Sequence, residues 1–319
     1  MTLKVLFIYP DVWAYGGDFY YGIAYMSAVL KSSGHQASLL HVTREISKKK
    51  FVHEVKRIGP DLVGFTSTSN QFPYVKLFAT WIKGTFDLPV VCGGIHSTLR
   101  PDEVISCDEI DIACVGEGEY PLLELANAME SGNMLDKIHN LWIKKGGTII
   151  RNPLRQLISD LDVLPLADRE IFQYEKILNR KGGAADFIAG RGCPYGCTYC
   201  CNHALRKIYE GHGPYVRIRS VRNVIDEIKN VKDKFGSLIK AINFDDDTFT
   251  LFHKWVREFC EVYGREFDLP FACNARADTV NREILTLLKK AGCDTIRIGI
   301  ESGSEWLRLG ALKRQMTNE

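Results

Sequence analysis

Short apolar runs and amphipathic stretches alternate along the first 140 residues. Each apolar run has the length of a buried strand, and the stretch after it repeats apolar residues every three to four positions, as a helix does. The predicted strands are Val5–Tyr9, Ala37–Val42, Leu62–Phe65, Pro89–Cys92 and Ile112–Val115. The helical spacing is clear after the last of them, at Leu122, Leu125, Ala126 and Met129. Strands that alternate with helices predict an α/β fold with a parallel, doubly wound sheet.

Small and polar residues follow the predicted strands of this first half. They lie at Pro10–Gly17, Thr66–Asn70, Gly93–His96 and Gly116–Glu119. Ligands of a doubly wound sheet bind at the carboxyl ends of its strands, so these segments predict a ligand cleft. A flavodoxin-like sheet that binds nothing is the alternative, with the glycines serving as tight turns and Glu119 favouring a helix N-terminus. A lone loop histidine such as His96 is more typical of a hydrogen-bonding residue than of a ligand.

A change of pattern separates the two halves of the chain. Asn140–Lys144 and Thr148–Arg151 flank a Gly-Gly pair and predict a hairpin. The stretch 152–169 contains Pro153 and Pro165 without periodicity, as a linker does. We therefore expect three regions, namely a domain over 1–140, a hairpin and linker over 141–180, and a second domain over 181–319.

Strands and helices alternate again in the second half. The predicted strands are Ala185–Ala189, Ile239–Phe244, Phe271–Asn274 and Thr295–Ile300. Polar residues follow three of them, at Asp245–Asp247, Arg276 and Glu301–Ser302, which is where a β/α barrel builds its active site. An exposed acidic turn, a helix cap and a salt bridge are simpler roles for these residues taken singly. Their repetition at successive strand ends favours a functional site.

Composition limits the classes of function. The 319 residues include 41 basic and 39 acidic side chains, a net charge of +2 without a basic stripe, so nothing indicates a nucleic-acid partner. No apolar run has membrane-spanning length, and the N-terminus does not resemble a signal peptide. Several of the ten cysteines lie in or beside apolar runs, as buried thiols do. We therefore expect a soluble protein of a reducing compartment, the cytoplasm.

Three cysteines lie close together after the first predicted strand of the second half. Cys193, Cys197 and Cys200 form a C-x3-C-x2-C motif on one glycine-rich loop. Three thiolates around one point suit a soft metal centre, and iron–sulfur clusters are held by cysteine sulfur. Because a closed cluster needs four ligands, three local cysteines would leave one iron open. A zinc site with Cys201 or His203 as the fourth ligand is the alternative.

The cysteine loop resembles the cluster loop of the radical S-adenosylmethionine (SAM) superfamily, including the aromatic Tyr199 before the third cysteine. The resemblance implies a [4Fe–4S] cluster on Cys193, Cys197 and Cys200, whose open iron chelates the amino and carboxylate groups of SAM.

The same resemblance assigns the polar strand ends to SAM. The acidic loop would contact the methionine end of SAM, and the residues after the last strand would meet its ribose. The arginine would steady the methionine carboxylate or the substrate. In chain order the residues assigned to SAM are Tyr199, Asp245, Asp246, Asp247, Arg276, Glu301 and Ser302.

The first half resembles the cobalamin-binding domain that precedes the radical SAM domain in one large subgroup. The usual signature is D-x-H-x-x-G, then a Ser/Thr-rich loop, then a Gly-Gly pair; here 11–16 carries Trp13 at the histidine position. The resemblance implies cobalamin whose nucleotide tail is buried among the strand ends, without a histidine ligand to cobalt. The residues assigned to cobalamin are Trp13, Ser67, Thr68, Gly93, Gly94, Gly116, Glu117 and Gly118.

This architecture implies a cobalamin-dependent radical SAM methyltransferase. The cluster would cleave SAM reductively with an electron donor such as flavodoxin or ferredoxin, and a methyl group would reach an unactivated carbon or phosphorus of a small-molecule substrate. A radical cyclase or rearrangement enzyme of the same architecture, for example one acting on tetrapyrroles, stays open. So does a non-catalytic metal-binding fragment.

The strand count of the second half predicts an incomplete barrel. The family barrel has about six βα units, against roughly eight in a complete barrel, and four predicted strands precede Glu319. We expect a partial (β/α) barrel, truncated at the C-terminus, with Thr295–Ile300 as an exposed edge strand.

Overall fold

The computed structural model describes residues 2–12 and 17–318. The chain forms two compact units, one from Met1–Arg155 and Leu164–Ile177 and the other from Gln156–Val163 and Leu178–Glu319. Each unit has its own main sheet. In the two described ranges no helix has the length and apolar character needed to cross a membrane.

The first unit alternates strands with helices, as the sequence predicts. Its elements are β1 (Lys4–Pro10), α1 (Tyr21–Ser32), β2 (Gln36–Val42), α2 (Lys48–Ile58), β3 (Leu62–Thr66), α3 (Phe72–Lys83), β4 (Val90–Gly93), α4 (Gly94–Leu99), α5 (Pro101–Ser106), β5 (Ile112–Cys114), α6 (Glu119–Ser131), β6 (Leu141–Lys145) and β7 (Thr148–Arg151). The sheet order is β2-β1-β3-β4-β5-β6-β7. Strands β1 to β5 are parallel, and β6 and β7 add an antiparallel hairpin beside β5.

The centre of this sheet is buried on both faces. All five residues of β3 and the last six residues of β1 are buried, which explains their continuous apolar sequences. Val75, Phe78 and Ile82 of α3 pack in the same apolar core as the residues of these strands. The strand order reverses between β1 and β3, and ligands of such sheets bind outside the carboxyl ends at that point.

The second unit also alternates strands and helices. The elements from 174 onward are α7 (Tyr174–Arg180), β8 (Ala184–Phe187), β9 (Gly190–Arg191), α8 (Cys201–Ile208), β10 (Arg217–Ile218), α9 (Val221–Phe235), β11 (Ala241–Phe244), α10 (His253–Glu266), β12 (Phe271–Ala275), α11 (Arg282–Lys290), β13 (Cys293–Ile298) and α12 (Glu305–Gly310). The main sheet has the order β13-β12-β11-β8 and is parallel throughout. Successive strands that lie side by side confirm the predicted partial barrel.

Helices α8 and α9 are absent from the sequence-based prediction, although α9 has clear sequence signals. Its buried residues follow helical spacing, and the Ser220 hydroxyl caps its first turn by accepting the N–H of Asn223 at 3.1 Å. The buried positions are Val221, Val224, Ile225, Glu227, Ile228 and Val231.

A buried ion pair joins α9 to the end of β8. Arg219 donates to Glu227 at 2.5 Å, and both side chains are almost completely buried. Arg219 also donates to the carbonyl of Ile188 at 3.0 Å, and the indole N–H of Trp255 donates to the Arg219 carbonyl at 2.7 Å. Such a pair is costly to break because it leaves a charge without a partner, so it fixes the segment that leads into the cysteine loop.

Strand β13 is expected to promote self-association of the chain. Among the described residues β13 pairs only with β12, and nearby Ile298, Ile300 and Trp306 are exposed, Trp306 to 80%. An unpaired strand edge beside exposed apolar side chains is a template for association. Sedimentation velocity at rising protein concentration should therefore show species larger than the monomer.

A lysine on the same edge should oppose this association. Ile298→Lys is expected to raise the dissociation constant roughly tenfold or more, because a charge on an edge strand disfavours pairing. Leu77→Lys, at an exposed position of α3 in the other unit, is the matched control and should have little effect. A wild-type chain that stays monomeric at all concentrations contradicts the prediction.

Candidate functional site

The cysteine motif lies on the loop between β9 and α8. Cys197 is buried, Cys193 and Cys200 are half-buried, and neighbouring Cys201 is exposed. Gly192 has a φ of +84°, and a Cβ there would lie 2.3 Å from the carbonyl oxygen of Tyr215. Only glycine fits both the conformation and the space, so this residue sets the tight entry into the loop.

Asp246, directly after β11, anchors the start of the cysteine loop. Its carboxylate accepts the backbone N–H of Ala189 at 2.9 Å and of Gly190 at 2.7 Å. Burial raises the pKa of Asp246 to about 7. Because both N–H donors point at this buried carboxylate, Asp246 positions the backbone at the start of the loop; its contact with SAM stays a prediction.

Nitrogen donors surround the sulfurs of the loop. Nη1 atoms of Arg276 and Arg314 lie 3.7 and 4.0 Å from Cys197 Sγ, and Asn202 Nδ2 lies 3.7 Å from Cys200 Sγ. Donors aimed at sulfur stabilise thiolates and tune iron–sulfur clusters, so the chemistry of this donor set fits a cluster. In the described ranges, however, no three His, Cys, Asp or Glu side chains are grouped closely enough to hold a metal ion.

Cluster binding requires the thiolate form of Cys193. Burial raises the pKa of Cys193, which favours its protonated thiol form. Since the thiolate is the form that binds metal, assembly of a cluster must release this proton and draw the three sulfurs together.

Arg276 contacts the cysteine loop and a neighbouring carboxylate. Its Nε and Nη2 donate to the two carboxylate oxygens of Asp278, both at 2.9 Å. The guanidinium lies 3.5 Å from the centre of the Tyr195 ring, and its remaining nitrogen faces Cys197. Arg276 therefore has partners both in the cysteine loop and in Asp278, and its expected role on the methionine carboxylate or the substrate stays a prediction.

Other polar strand ends stay accessible. Asp245, Asp247 and Glu301 are exposed and Ser302 is half-buried. Asp245 accepts the amide of Asn243 at 2.6 Å. Glu301 has a φ of +69°, an uncommon conformation for a residue with a side chain and one that concentrates at functional sites. The contacts of these four residues with SAM stay predictions.

Arg314 and Asn202 are site residues that sequence reasoning missed. Arg314 donates to the Tyr199 hydroxyl at 2.9 Å and to the Gly299 carbonyl at 2.6 Å. Asn202 accepts the hydroxyl of Tyr215 at 2.6 Å. For Arg314 the sequence offers no signal, because its contacts with the cysteine loop, at Cys197 and Tyr199, lie more than a hundred positions away in the chain. Asn202 follows the motif by two residues, and that proximity is the only cue.

In the first unit, the carboxyl ends of β1 and β3 carry aromatic and hydroxyl groups. The rings of Tyr9 and Tyr20 lie 5.1 Å apart, and the hydroxyls of Thr66 and Tyr20 are 3.2 Å apart. Ser67 is buried and Thr68 is half-buried. Trp13, the residue at the signature histidine position, lies outside the described residues.

Glycines keep the strand ends of this sheet close together. Gly94 has a φ of +91°, and a Cβ there would lie 2.6 Å from Thr66 Oγ1 and 2.8 Å from the Ser67 nitrogen. A Cβ on Gly118 would lie 2.9 Å from the sulfur of Met26. Gly93, Gly116 and Glu117 are half-buried beside them. An edge lined by glycines, aromatic rings and hydroxyls fits a flat, bulky ligand such as the ring of cobalamin.

Two histidines near this edge have partners within the protein. His96 is buried, with Nδ1 3.0 Å from the Ser69 hydroxyl and its ring 4.2 Å from Phe72, and burial lowers its pKa. The hydrogen-bonding role predicted for it agrees with these contacts. Nε2 of His41 lies 2.8 Å from the carboxylate of Asp11, the first residue of the signature.

Two protein families match the two units. The B12 binding domain family matches residues 18–126, and the Radical SAM superfamily matches residues 187–318. Together the matches cover more than two thirds of the chain.

Curated relatives align with this chain over most of its length. An uncharacterized methyltransferase of Pyrococcus horikoshii is 29% identical over 293 residues, which cover 89% of this chain and 61% of the relative. The anaerobic magnesium-protoporphyrin IX monomethyl ester cyclase of Rubrivivax gelatinosus is 26% identical over 339 residues, which cover 99% of this chain and 58% of the relative. The chain thus spans about three fifths of the length of these relatives.

A solved structure shares the fold. The radical SAM methyltransferase TsrM of Kitasatospora setae, solved with its tryptophan substrate and a SAM analog, superposes with a TM-score of 0.76 at 21% identity. The superposition covers 96% of this chain and 61% of TsrM. The two family matches, in the predicted order, show that the chain carries a B12 binding domain ahead of a radical SAM domain.

Proposed function

We propose that the chain is the B12-binding and radical SAM part of a methyltransferase that acts on a small molecule. The observation that carries the proposal is the set of nitrogen donors around the sulfurs of a C-x3-C-x2-C loop, in a chain that matches both domain families. Cys193, Cys197 and Cys200 would hold a [4Fe–4S] cluster, and the strand ends of the first unit would hold cobalamin.

Bound cluster and cobalamin supply the electron-transfer and methyl-carrying chemistry. The task of the chain is to bind and orient. The three cysteines bind through thiolate sulfur, and Asp246 fixes the backbone that leads into their loop. Asp245, Asp247, Glu301 and Ser302 present oxygens that suit the amino group and the ribose hydroxyls of SAM. Tyr199, held by Arg314, stands next to the third cysteine.

The reaction on the final substrate is methyl transfer to an unactivated carbon or phosphorus in this proposal. The relative from Rubrivivax gelatinosus is a cyclase, so a radical cyclisation is the second candidate. SAM labelled in its methyl group distinguishes the two, since only methyl transfer places the label in the product. A chain without SAM cleavage in either assay would instead be a metal-binding fragment.

An external one-electron donor such as flavodoxin or ferredoxin completes the proposal, because reductive cleavage of SAM consumes an electron. All ten cysteines are free thiols, which suits a reducing compartment, and we place the protein in the cytoplasm.

The direct test is reductive cleavage of SAM by anaerobically reconstituted protein. With dithionite as reductant, we expect a loss of SAM that depends on iron and sulfide. Chromatography measures the SAM that remains. Protein reconstituted with zinc alone is the control and should be inactive. Equal SAM loss in the zinc-loaded protein, or none in the iron-loaded protein, contradicts the proposed function.

Bound cobalamin is expected to lack a protein histidine on cobalt. Trp13 occupies the signature position, Nε2 of His41 pairs with Asp11, and Nδ1 of His96 pairs with Ser69, whereas Nε2 of His96 has no hydrogen-bond partner among the described residues. The electron paramagnetic resonance (EPR) spectrum of the Co(II) form should therefore show no nitrogen hyperfine splitting from an axial base. Splitting that disappears in His41→Ala or His96→Ala would contradict the prediction.

A further inference from the structure

We propose that Arg276 and Arg314 are positioning residues that hold Cys197 and raise the reduction potential of the cluster. The inference rests on the proposed cluster on Cys193, Cys197 and Cys200. It adds a function for two buried guanidinium groups, one of which the sequence assigned to SAM and one of which it left unassigned.

Both arginines converge on one sulfur. Their Nη1 atoms lie 3.7 and 4.0 Å from Cys197 Sγ, and only 3% of Arg276 and 7% of Arg314 is exposed. Cys197 is itself buried. The two cations reach it from different parts of the unit, Arg276 from the end of β12 and Arg314 from the segment after α12.

The two arginines differ in how their charge is balanced. Arg276 has Asp278 as a bidentate partner and stacks on Tyr195. Among the described residues Arg314 donates only to neutral oxygens and Cys197, its Nε has no hydrogen-bond partner, and the nearby carboxylate of Glu301 forms no ion pair with it. A buried cation without an anionic partner is costly. An anionic centre at Cys197 would remove that cost, and a thiolate-ligated cluster is such a centre.

Electrostatics then gives the direction of the effect. Reduction adds one negative charge to the cluster, and a nearby cation stabilises the reduced form more than the oxidised form. Coulomb interaction over about 4 Å is worth several kcal/mol away from bulk water. Hydrogen bonds to the sulfurs and burial also set the potential of iron–sulfur clusters. Loss of either charge should therefore make the cluster harder to reduce.

The test is a redox titration of the cluster reconstituted in the full chain, with the reduced cluster detected by EPR. In Arg314→Gln we expect the ratio of reduced to oxidised cluster at a fixed potential to fall roughly tenfold, about 59 mV for a one-electron couple. Arg314→Lys retains the charge and should stay near wild type. Arg257→Gln removes an exposed arginine that pairs with Glu283 and should leave the potential unchanged.

The possible outcomes distinguish a failure of this inference from a failure of the proposed function. A wild-type chain that assembles no cluster overturns the proposed function. Clusters with equal potentials in wild type and Arg314→Gln overturn the inference alone, and so does a fall in SAM affinity without a shift in potential, which would make Arg314 a SAM contact. If Arg314→Gln does not fold, Arg276→Lys provides the second variant.

Arg276→Lys keeps the charge but loses the bidentate pair with Asp278. We therefore expect a reduction potential near that of wild type and weaker retention of the cluster. An unchanged cluster content contradicts the positioning role.

Discussion

Replacing Cys193, Cys197 and Cys200 together with alanine is expected to abolish iron and sulfide incorporation and all reductive cleavage of SAM. The three sulfurs are the only ligands that the loop offers to a cluster in this account, so no partial site should remain. Iron and sulfide analysis after anaerobic reconstitution measures the effect directly. Each single alanine variant should also lose most of the cluster, because two cysteines cannot hold it.

The exposed Cys201 provides the matched control for this prediction. Cys201→Ser changes a cysteine that adjoins the motif without removing one of its three members, and it should keep the cluster. If Cys201→Ser or His203→Ala removes the metal as completely as the triple variant, the site is a four-ligand zinc site of the kind the sequence leaves open. Iron and sulfide retained by the triple variant would contradict the assignment of the three cysteines.

Gly94→Val is expected to weaken cobalamin binding by roughly a hundredfold or more. Any Cβ at this position meets Thr66 Oγ1 at 2.6 Å and the Ser67 nitrogen at 2.8 Å, at a φ of +91°. Relieving this clash must displace the ends of β3 and β4, and a hundredfold loss of affinity corresponds to about 2.7 kcal/mol. The change falls on the ends of β3 and β4, where we place the ligand.

Gly132→Val is the control that distinguishes the steric clash of a Cβ from backbone strain at a positive φ. Gly132 also has a positive φ, +67°, but a Cβ there would meet no atom within 4 Å. It should therefore lower stability without weakening cobalamin binding. Absorbance titration with hydroxocobalamin measures the affinity, and circular dichroism checks that both variants fold. Equal affinities of Gly94→Val and wild type would place cobalamin elsewhere.

The sequence predicted the central strands well because they are apolar and largely buried. All residues of β3 are buried, so the run Leu62–Phe65 stands out. Buried and half-buried residues alternate in β12, and the predicted run Phe271–Asn274, like Leu62–Phe65, recurs within one residue. Helix α9 could have been predicted from its spacing and from Ser220. Helix α8 is only eight residues long and directly follows the motif, which leaves little periodic signal.

The candidate site was predictable at the level of strand ends, and much less so at the level of individual contacts. The cysteine spacing is local, so it is visible in the sequence. The N–H groups that Asp246 accepts are more than fifty positions away, and the partners of Arg314 in the cysteine loop are more than a hundred. An acidic residue at a strand end looks the same in sequence whether its carboxylate meets a ligand or a backbone N–H. Only the folded geometry distinguishes a ligand contact from a positioning residue.

The most direct measurement of the central claim is the EPR spectrum of the reduced, anaerobically reconstituted chain before and after addition of SAM. We predict about four iron and four sulfide per chain, with a cluster spectrum that changes when SAM is added, because three cysteines leave one iron open to it. A zinc-loaded site, or a cluster whose spectrum is the same with and without SAM, would contradict the account.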